Sequence, residues 1–263
     1  MPTAQLPSSP LMNAQHRIRP DLSYQTLYSF GGRVSFSDGY NPRAALLNVN
    51  GRLYGTTENG GANGNPGTVY TIGRFGKESV LHNFGGTDGA NPGAALINVA
   101  GTLYGTTESG GAYPSTGGTV YSISATGAET VLHTFGTGSD GSDPVAGLVD
   151  VKGTLYGTTS QGGAYGFGTV YSISTSGTET VLHSFSSVYD GATPLGGLVD
   201  VHGTLYGTTL GGGPYGFGTV YSITTSGTET VLHSFGALTD GVDPASGLIK
   251  VKGMLYGTAE AGG

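Results

Sequence analysis

Residues 147–185 read GLVDVKGTLYGTTSQGGAYGFGTVYSISTSGTETVLHSF, and this stretch decides the fold. It divides into four short runs of Val, Leu, Ile, Tyr and Thr separated by glycine-bearing turns. Such runs read as strands, because β-branched and aromatic side chains suit a pleated, half-buried surface. In the copy that follows, the first strand is Gly197 to Val201, closed by a tight His202-Gly203 turn. Thr204 to Thr209 is the second strand. A glycine-rich loop leads to the third, Thr219 to Thr224, and a Ser226-Gly227 turn to the fourth, Thr230 to Phe235. In that last run Val231, His233 and Phe235 alternate with Leu232 and Ser234, a period of two that sends neighbours to opposite faces. Nothing in the unit has helical spacing.

Working outward, the same unit fills the chain. Gly-x-Leu-Tyr-Gly-Thr recurs at Tyr54, Tyr104, Tyr156, Tyr206 and Tyr256. The fourth-strand aromatic recurs at Phe30, Phe84, Phe135, Phe185 and Phe235, and Gly-Thr-Val-Tyr at Tyr70, Tyr121, Tyr171 and Tyr221. The period is about fifty residues, in the range of propeller blades. Four antiparallel strands per repeat, closed radially, protect their edges by closure. The expected fold is therefore all-β, a five-bladed β-propeller of four-stranded antiparallel blades. Only four third strands are obvious. Matching Phe30 to Phe185 without gaps puts Ile18 on Ile173, so Asn13 to Arg19 reads as a degenerate third strand. The last blade is then closed by strands from both termini, with residues 1–12 a tail and 13–263 a single propeller domain. The competing reading is a piece of a larger propeller.

Composition narrows the function classes. The 263 residues include 51 Gly and 12 Pro without a collagen-like triplet, and the Tyr, Phe, Val, Leu and Thr content argues against disorder. A net charge of −7 with only 10 Lys and Arg argues against nucleic acid and anionic membranes as partners. With no Cys, disulfides and thiolate metal sites are excluded. No run reaches transmembrane length and none resembles a signal peptide, so membrane insertion is not expected. No cofactor motif is present, and neither cofactor nor metal is expected.

Length variation falls in the link between blades and in the loop between second and third strands, such as Gly31 to Asp38 and Gly110 to Gly118. Both emerge on one rim, where a binding face is expected. Three features populate it. An Asp-Gly-x-(Asn/Asp/Thr)-Pro element recurs at Asp38, Asp88, Asp140, Asp190 and Asp240. It reads as turn chemistry, with Asp140, Asp190 and Asp240 also candidate sugar or calcium ligands. Glu58, Glu108 and Glu260 follow the second strand in three blades adjacent around a closed ring. Clustered carboxylates there suit acid–base chemistry on a glycoside; surface Glu residues are equally ordinary. Tyr113, Tyr165, Phe167, Tyr215 and Phe217 stand amid glycines in the loops, suited to stacking on sugar rings or to packing between blades. The histidines His82, His133, His183 and His233 lie on separate outer strands, so no pair of them can share one ion.

The run from Gly147, Gly-Leu-Val-Asp-Val-Lys-Gly-Thr-Leu-Tyr-Gly-Thr-Thr-x-x-Gly-Gly, with Gly-Thr-Val-Tyr-Ser-Ile at Gly168, resembles the GloVer-type (Gloeobacter/Verrucomicrobia) bacterial tandem repeat. It is also similar to a kelch-type blade, but lacks the fourth-strand Trp. The resemblance implies an extracellular or surface-associated repeat protein and carries no catalytic residues with it. The expected function is a non-catalytic binding or scaffold propeller that recognises a polysaccharide or other glycan through the loop-rich face. The alternatives are a polysaccharide hydrolase or lyase using the Glu cluster, and a purely structural surface repeat.

Overall fold

The computed structural model describes residues 14–18, 24–31, 37–113, 117–136, 139–236 and 240–263. Every element among them is a strand. The chain opens with a hairpin of β1 (Ala14–Ile18) and β2 (Tyr24–Ser29). Four antiparallel four-stranded sheets follow in simple up-and-down order. The first holds β3 (Leu47–Val49), β4 (Arg52–Thr57), β5 (Thr68–Ile72) and β6 (Glu78–Asn83). The second holds β7 (Ile97–Val99), β8 (Thr102–Thr107), β9 (Thr119–Ile123) and β10 (Glu129–Thr134). The third holds β11 (Val149–Val151), β12 (Thr154–Thr159), β13 (Thr169–Ser174) and β14 (Glu179–Ser184). The fourth holds β15 (Val199–Val201), β16 (Thr204–Thr209), β17 (Thr219–Thr224) and β18 (Glu229–Ser234). A closing hairpin pairs β19 (Ile249–Val251) with β20 (Met254–Tyr256). Residues 14–18 of the stretch expected as a third strand form β1, which pairs with β2 alone; Asn13, Arg19 and the expected tail at 1–12 lie outside the described residues.

The x-Gly turns between first and second strands are left-handed at both positions, as at Lys152 (φ 54°) and Gly153 (φ 87°). That geometry matches the twist of a two-residue hairpin, and Asp150 Oδ1 secures it by accepting the Gly153 N–H at 2.8 Å. Within each sheet the third-strand Tyr lies across the Gly of Tyr-Gly-Thr. A Cβ on Gly105 would sit 2.5 Å from the Tyr121 hydroxyl, so only glycine lets the ring pack there.

The core lies between sheets rather than within one. Tyr54, Val69 and Phe84 of the first sheet pack on Leu96, Leu103, Tyr121 and Ile123 of the second. The same set repeats between second and third sheets and between third and fourth. Phe84, Phe135 and Phe185 each meet the next sheet's Tyr edge-on, at centroid distances of 5.1, 4.9 and 5.1 Å. First strands of neighbouring sheets approach one another, so they are the innermost strands. Thr56, Thr106 and Thr208 each donate a hydrogen bond to a carbonyl of the following unit, Ala94, Ala146 and Ser246.

One local expectation is corrected. The fourth strand does not alternate regularly, because Val231 pairs with Tyr221 while His233 pairs with the adjacent Val220. Leu232 is the extra residue of a β-bulge, present also in the other sheets. A bulge switches the face of all that follows it. Leu182 and Phe185 thus both face the next sheet. The strand also begins one residue earlier, at Glu229.

Candidate functional site

The Asp-Gly elements form the turns of the loop-rich rim. Each Asp carboxylate accepts a fourth-strand donor through Oδ2: Tyr28 Oη at 2.6 Å, then His82, His133, His183 and His233 Nε2 at 2.8, 3.2, 2.9 and 2.9 Å. Oδ1 accepts backbone N–H groups, from Gly85 to Asp88 at 2.7 Å and from Ser186 to Asp190 at 2.9 Å. The His set is therefore a set of same-blade His–Asp pairs, with Asp140, Asp190 and Asp240 engaged in them. Gly89, at φ 129°, rests on a buried Thr107–Thr119 hydroxyl pair, and a Cβ there would fall 2.5 Å from Thr107 Oγ1.

Three residues after each Asp, Asn41, Asn91, Asp143, Thr193 and Asp243 all take left-handed φ values of 56–59°. Their carbonyls accept the N–H of Glu58, Glu108, Ser160, Leu210 and Glu260 at 3.0–3.2 Å. These five positions are thus equivalent, and they lie on the rim. Glu58 stands 2.9 Å from the Arg43 Nε. Burial raises the Glu108 carboxyl, and the charges of Glu58 and Asp143 raise it further while Arg43 opposes them. Glu58 and Glu108 are brought within electrostatic reach of each other. Glu260 is exposed and is not among the charges acting on Glu108.

The loop aromatics face solvent. Tyr165 and Tyr215 are 63% and 64% exposed, and Tyr113, Phe167 and Phe217 are also exposed. The loops that carry them are held by backbone bonds, Gly168 N–H to Gly162 and Gly218 N–H to Gly212 at 3.0 and 3.1 Å. Sequence reasoning missed two residues beside them, Val188 and Tyr189, the latter 77% exposed. They sit in the link between the third and fourth sheets. On one side the link's own Thr193 N–H donates to Phe167 C=O at 2.9 Å; on the other, Ser187 C=O accepts Gly213 N–H at 2.6 Å. These bonds set three segments with exposed apolar residues side by side as a strip: the loop of Tyr165 and Phe167, the link of Val188 and Tyr189, and the loop of Tyr215 and Phe217. The first sheet has Asn63 and Pro66 at the corresponding loop positions, so the strip belongs to one side of the molecule.

One mixed group of metal-ligating type occurs among the described residues, where His82, Asp88 and Glu129 of the next sheet bring ligand atoms within 4.8 Å. His82 and Asp88 already satisfy each other at 2.8 Å, as the other His–Asp pairs do. Equivalent Glu residues lie within electrostatic reach of Asp38, Asp140 and Asp190. Glu78, Glu129, Glu179 and Glu229 are pushed up to about 7 by burial and then by Asp38, Asp88, Asp140 and Asp190.

Repeated four-stranded sheets with innermost first strands and a loop-bearing rim define a propeller-like all-β repeat protein. The solved protein YjhT is similar at TM-score 0.53 and 12% identity, over 95% of this chain and 86% of that one. A subtype N11 neuraminidase-like protein of A/flat-faced bat/Peru/033/2010 (H18N11) matches at 0.51 and 13%, over 92% and 73%. A luciferin-regenerating enzyme matches at 0.50 and 15%, over 90% and 72%. The chain spans about half the length of several other solved proteins that it matches. At these identities the likeness is one of fold. No curated protein sequence matches. The chain belongs to the Gloeobacter/Verrucomicrobia repeat family, which matches residues 16–154 and 65–263. No helix among the described residues is long and apolar enough to cross a membrane.

Proposed function

We propose that this chain is a non-catalytic, five-bladed propeller that binds neutral polysaccharide, outside the cell or at its surface, through the aromatic strip of its loop-rich rim. The observation that carries the reading is the set Tyr165, Phe167, Tyr189, Tyr215 and Phe217, exposed on loops that their own backbone bonds hold in place. Rings fixed in this way offer stacking faces for sugars without a large ordering cost. Segments 160–168, 186–196 and 210–218 contain no Lys or Arg, and their one acidic residue, Asp190, is engaged by His183 and Ser186. A surface without cations favours uncharged chains over acidic ones. Several adjacent rings suit a polymer, whose successive sugars bind weakly one by one and firmly together.

The test is retention of the protein on neutral and on acidic polysaccharides, with release of new reducing ends scored in the same tubes. Retention on the neutral polymers, a tenfold or greater loss in the Tyr165→Ala/Tyr189→Ala/Tyr215→Ala variant, and no release are expected. Retention by acidic polymers alone would overturn the reading. One observation favours a hydrolase or lyase instead: Glu108 lies within reach of Glu58 with its carboxyl raised. Release of reducing ends that Glu108→Gln abolishes would establish that reading.

A further inference from the structure

The two terminal hairpins are complementary halves of one blade. β19 and β20 pair as Ile249↔Tyr256, Lys250↔Leu255 and Val251↔Met254, the register of the first two strands of a sheet, as in Val199↔Tyr206. β1 and β2 pair as Ala14↔Ser29, Gln15↔Tyr28, His16↔Thr26, Arg17↔Gln25 and Ile18↔Tyr24. The third and fourth strands of the third sheet pair identically, each residue displaced by the same 155 positions (Ala14 to Thr169, Ser29 to Ser184). Even the bulge coincides, between Gln15 and His16 in one and Val170 and Tyr171 in the other.

Packing agrees with pairing. Phe30, just past β2, meets Tyr70 edge-on at 4.6 Å and clusters with Ile72, Leu46 and Leu53, on the face where every later sheet receives its predecessor. That cluster lacks the contribution of first and second strands, which Leu47, Val49 and Tyr54 make at the next interface. Their counterparts Ile249, Val251 and Tyr256 are exposed. Between the fourth sheet and β20 lies a cavity of about 300 Å³, lined by Val220, Phe235, Leu248, Leu255 and Gly257 among others. One interface earlier, Val170, Phe185, Leu198 and Leu205 enclose Tyr221, which lies across Gly207. The cavity has the same walls without the strand.

We propose that the cavity and the free edge of β20 are the seat of β1 of the same chain, in the register Leu255↔Ile18, Tyr256↔Arg17 and Gly257↔His16. The exposed face of β19 and β20 then closes on Leu46 and Leu53. The inference specifies how the five-bladed ring proposed above closes, and is independent of its glycan. The chain's own strand is favoured because β2 already occupies the face that β19 and β20 must cover, so both ends are satisfied without the entropy cost of association.

The chain has no Cys, so a two-cysteine variant forms one defined disulfide. Paired antiparallel positions lie within the Cα separation a disulfide spans. Oxidised Arg17→Cys/Tyr256→Cys is expected to give a fast-migrating monomer on a non-reducing gel. Ile18→Cys/Tyr256→Cys, with thiols on opposite faces, is expected to stay open. Cross-linking of the second pair instead of the first would mean a ring closed in another register; disulfide-linked dimers would mean a seat filled by a second copy. Absence of any cross-link would mean an unfilled seat. Each of these overturns the proposal. Hydrogen exchange of the unmodified protein checks it without substitutions: amides of residues 255–258 should be protected like those of residues 205–208, and fast exchange would refute the seat.

Discussion

The same six residues, Gly-x-Leu-Tyr-Gly-Thr, have opposite fates at Tyr156 and Tyr256. Tyr156 is 6% exposed, inside the cluster between third and fourth sheets, whereas Tyr256 is 48% exposed. Strand pairing to the first strand is identical in both places, Val149↔Tyr156 and Ile249↔Tyr256. What differs is the neighbour. A unit of this repeat does not bury its own apolar face, so its stability comes largely from the interface it makes with the next one.

The largest expected effect tests that difference. Tyr156→Ala should cost about 3–5 kcal/mol in denaturant unfolding, as large-to-small changes at buried aromatics do. With β1 seated, Tyr256→Ala should lower the unfolding midpoint by a comparable amount; an unchanged midpoint would leave the terminal face free in solution. Next in size is Thr107→Val. The Thr107 hydroxyl accepts the Thr119 N–H at 3.0 Å, pairs with Thr119 Oγ1 at 2.9 Å and reaches the Ser109 carbonyl at 3.0 Å. Its loss leaves buried groups unpaired, at about 1–3 kcal/mol in the same assay. Ala259 holds the corresponding place after β20 and lacks the hydroxyl, so Ala259→Ser should change stability far less.

A third effect comes from Glu78, Glu129, Glu179 and Glu229. Folded, these carboxyls keep their protons up to about 7, against the ordinary 4.5 of the unfolded chain. Between those values the folded state binds more protons, so their contribution is fully present below about 4.5 and is lost as pH rises through 7. Burial lowers His133 and acts in the opposite direction, favouring unfolding as the pH falls through its titration. The four carboxyls outnumber it. Calorimetric melting temperature should therefore be higher at pH 5.5 than at pH 8 by about 5 °C. Glu129→Gln should flatten the slope, and a melting temperature that rises with pH across that window would contradict the assignment. The smallest effect falls on the rim, where Tyr215→Ala should change stability by less than about 0.5 kcal/mol while weakening polysaccharide retention. A rim substitution that unfolded the protein would move Tyr215 into the core.

Much of the fold was legible because every strand repeats its own turn chemistry. Thr204 to Thr209 and Thr219 to Thr224 are read to the residue, since x-Gly and Ser-Gly turns bound them. The bulge at Leu232 was not legible: an extra strand residue leaves no mark on an apolar run whose alternation looks regular. At the rim, the common position of Glu58, Glu108 and Glu260 could be seen from Tyr-Gly-Thr, but their spacing depends on the curvature of the assembled sheets. Tyr189 escaped notice for the opposite reason. It stands in a link as long as those from Phe135 to Asp140 and from Phe235 to Asp240, and its Ser-Val-Tyr run occurs in one repeat only, so the periodic pattern carries no sign of it.

The hydroxyl staples from Thr56, Thr106 and Thr208 to the carbonyls of Ala94, Ala146 and Ser246 have a consequence for how such a chain changes over generations. Donor and acceptor occupy corresponding places at these three interfaces, though the equivalent Thr158 hydroxyl makes no such bond, so a duplicated unit of the stapled kind meets its new neighbour with the right partner already in place. Recombination between near-identical stretches of the coding sequence therefore changes the number of units without inventing a contact. Curvature is the one quantity that must readjust.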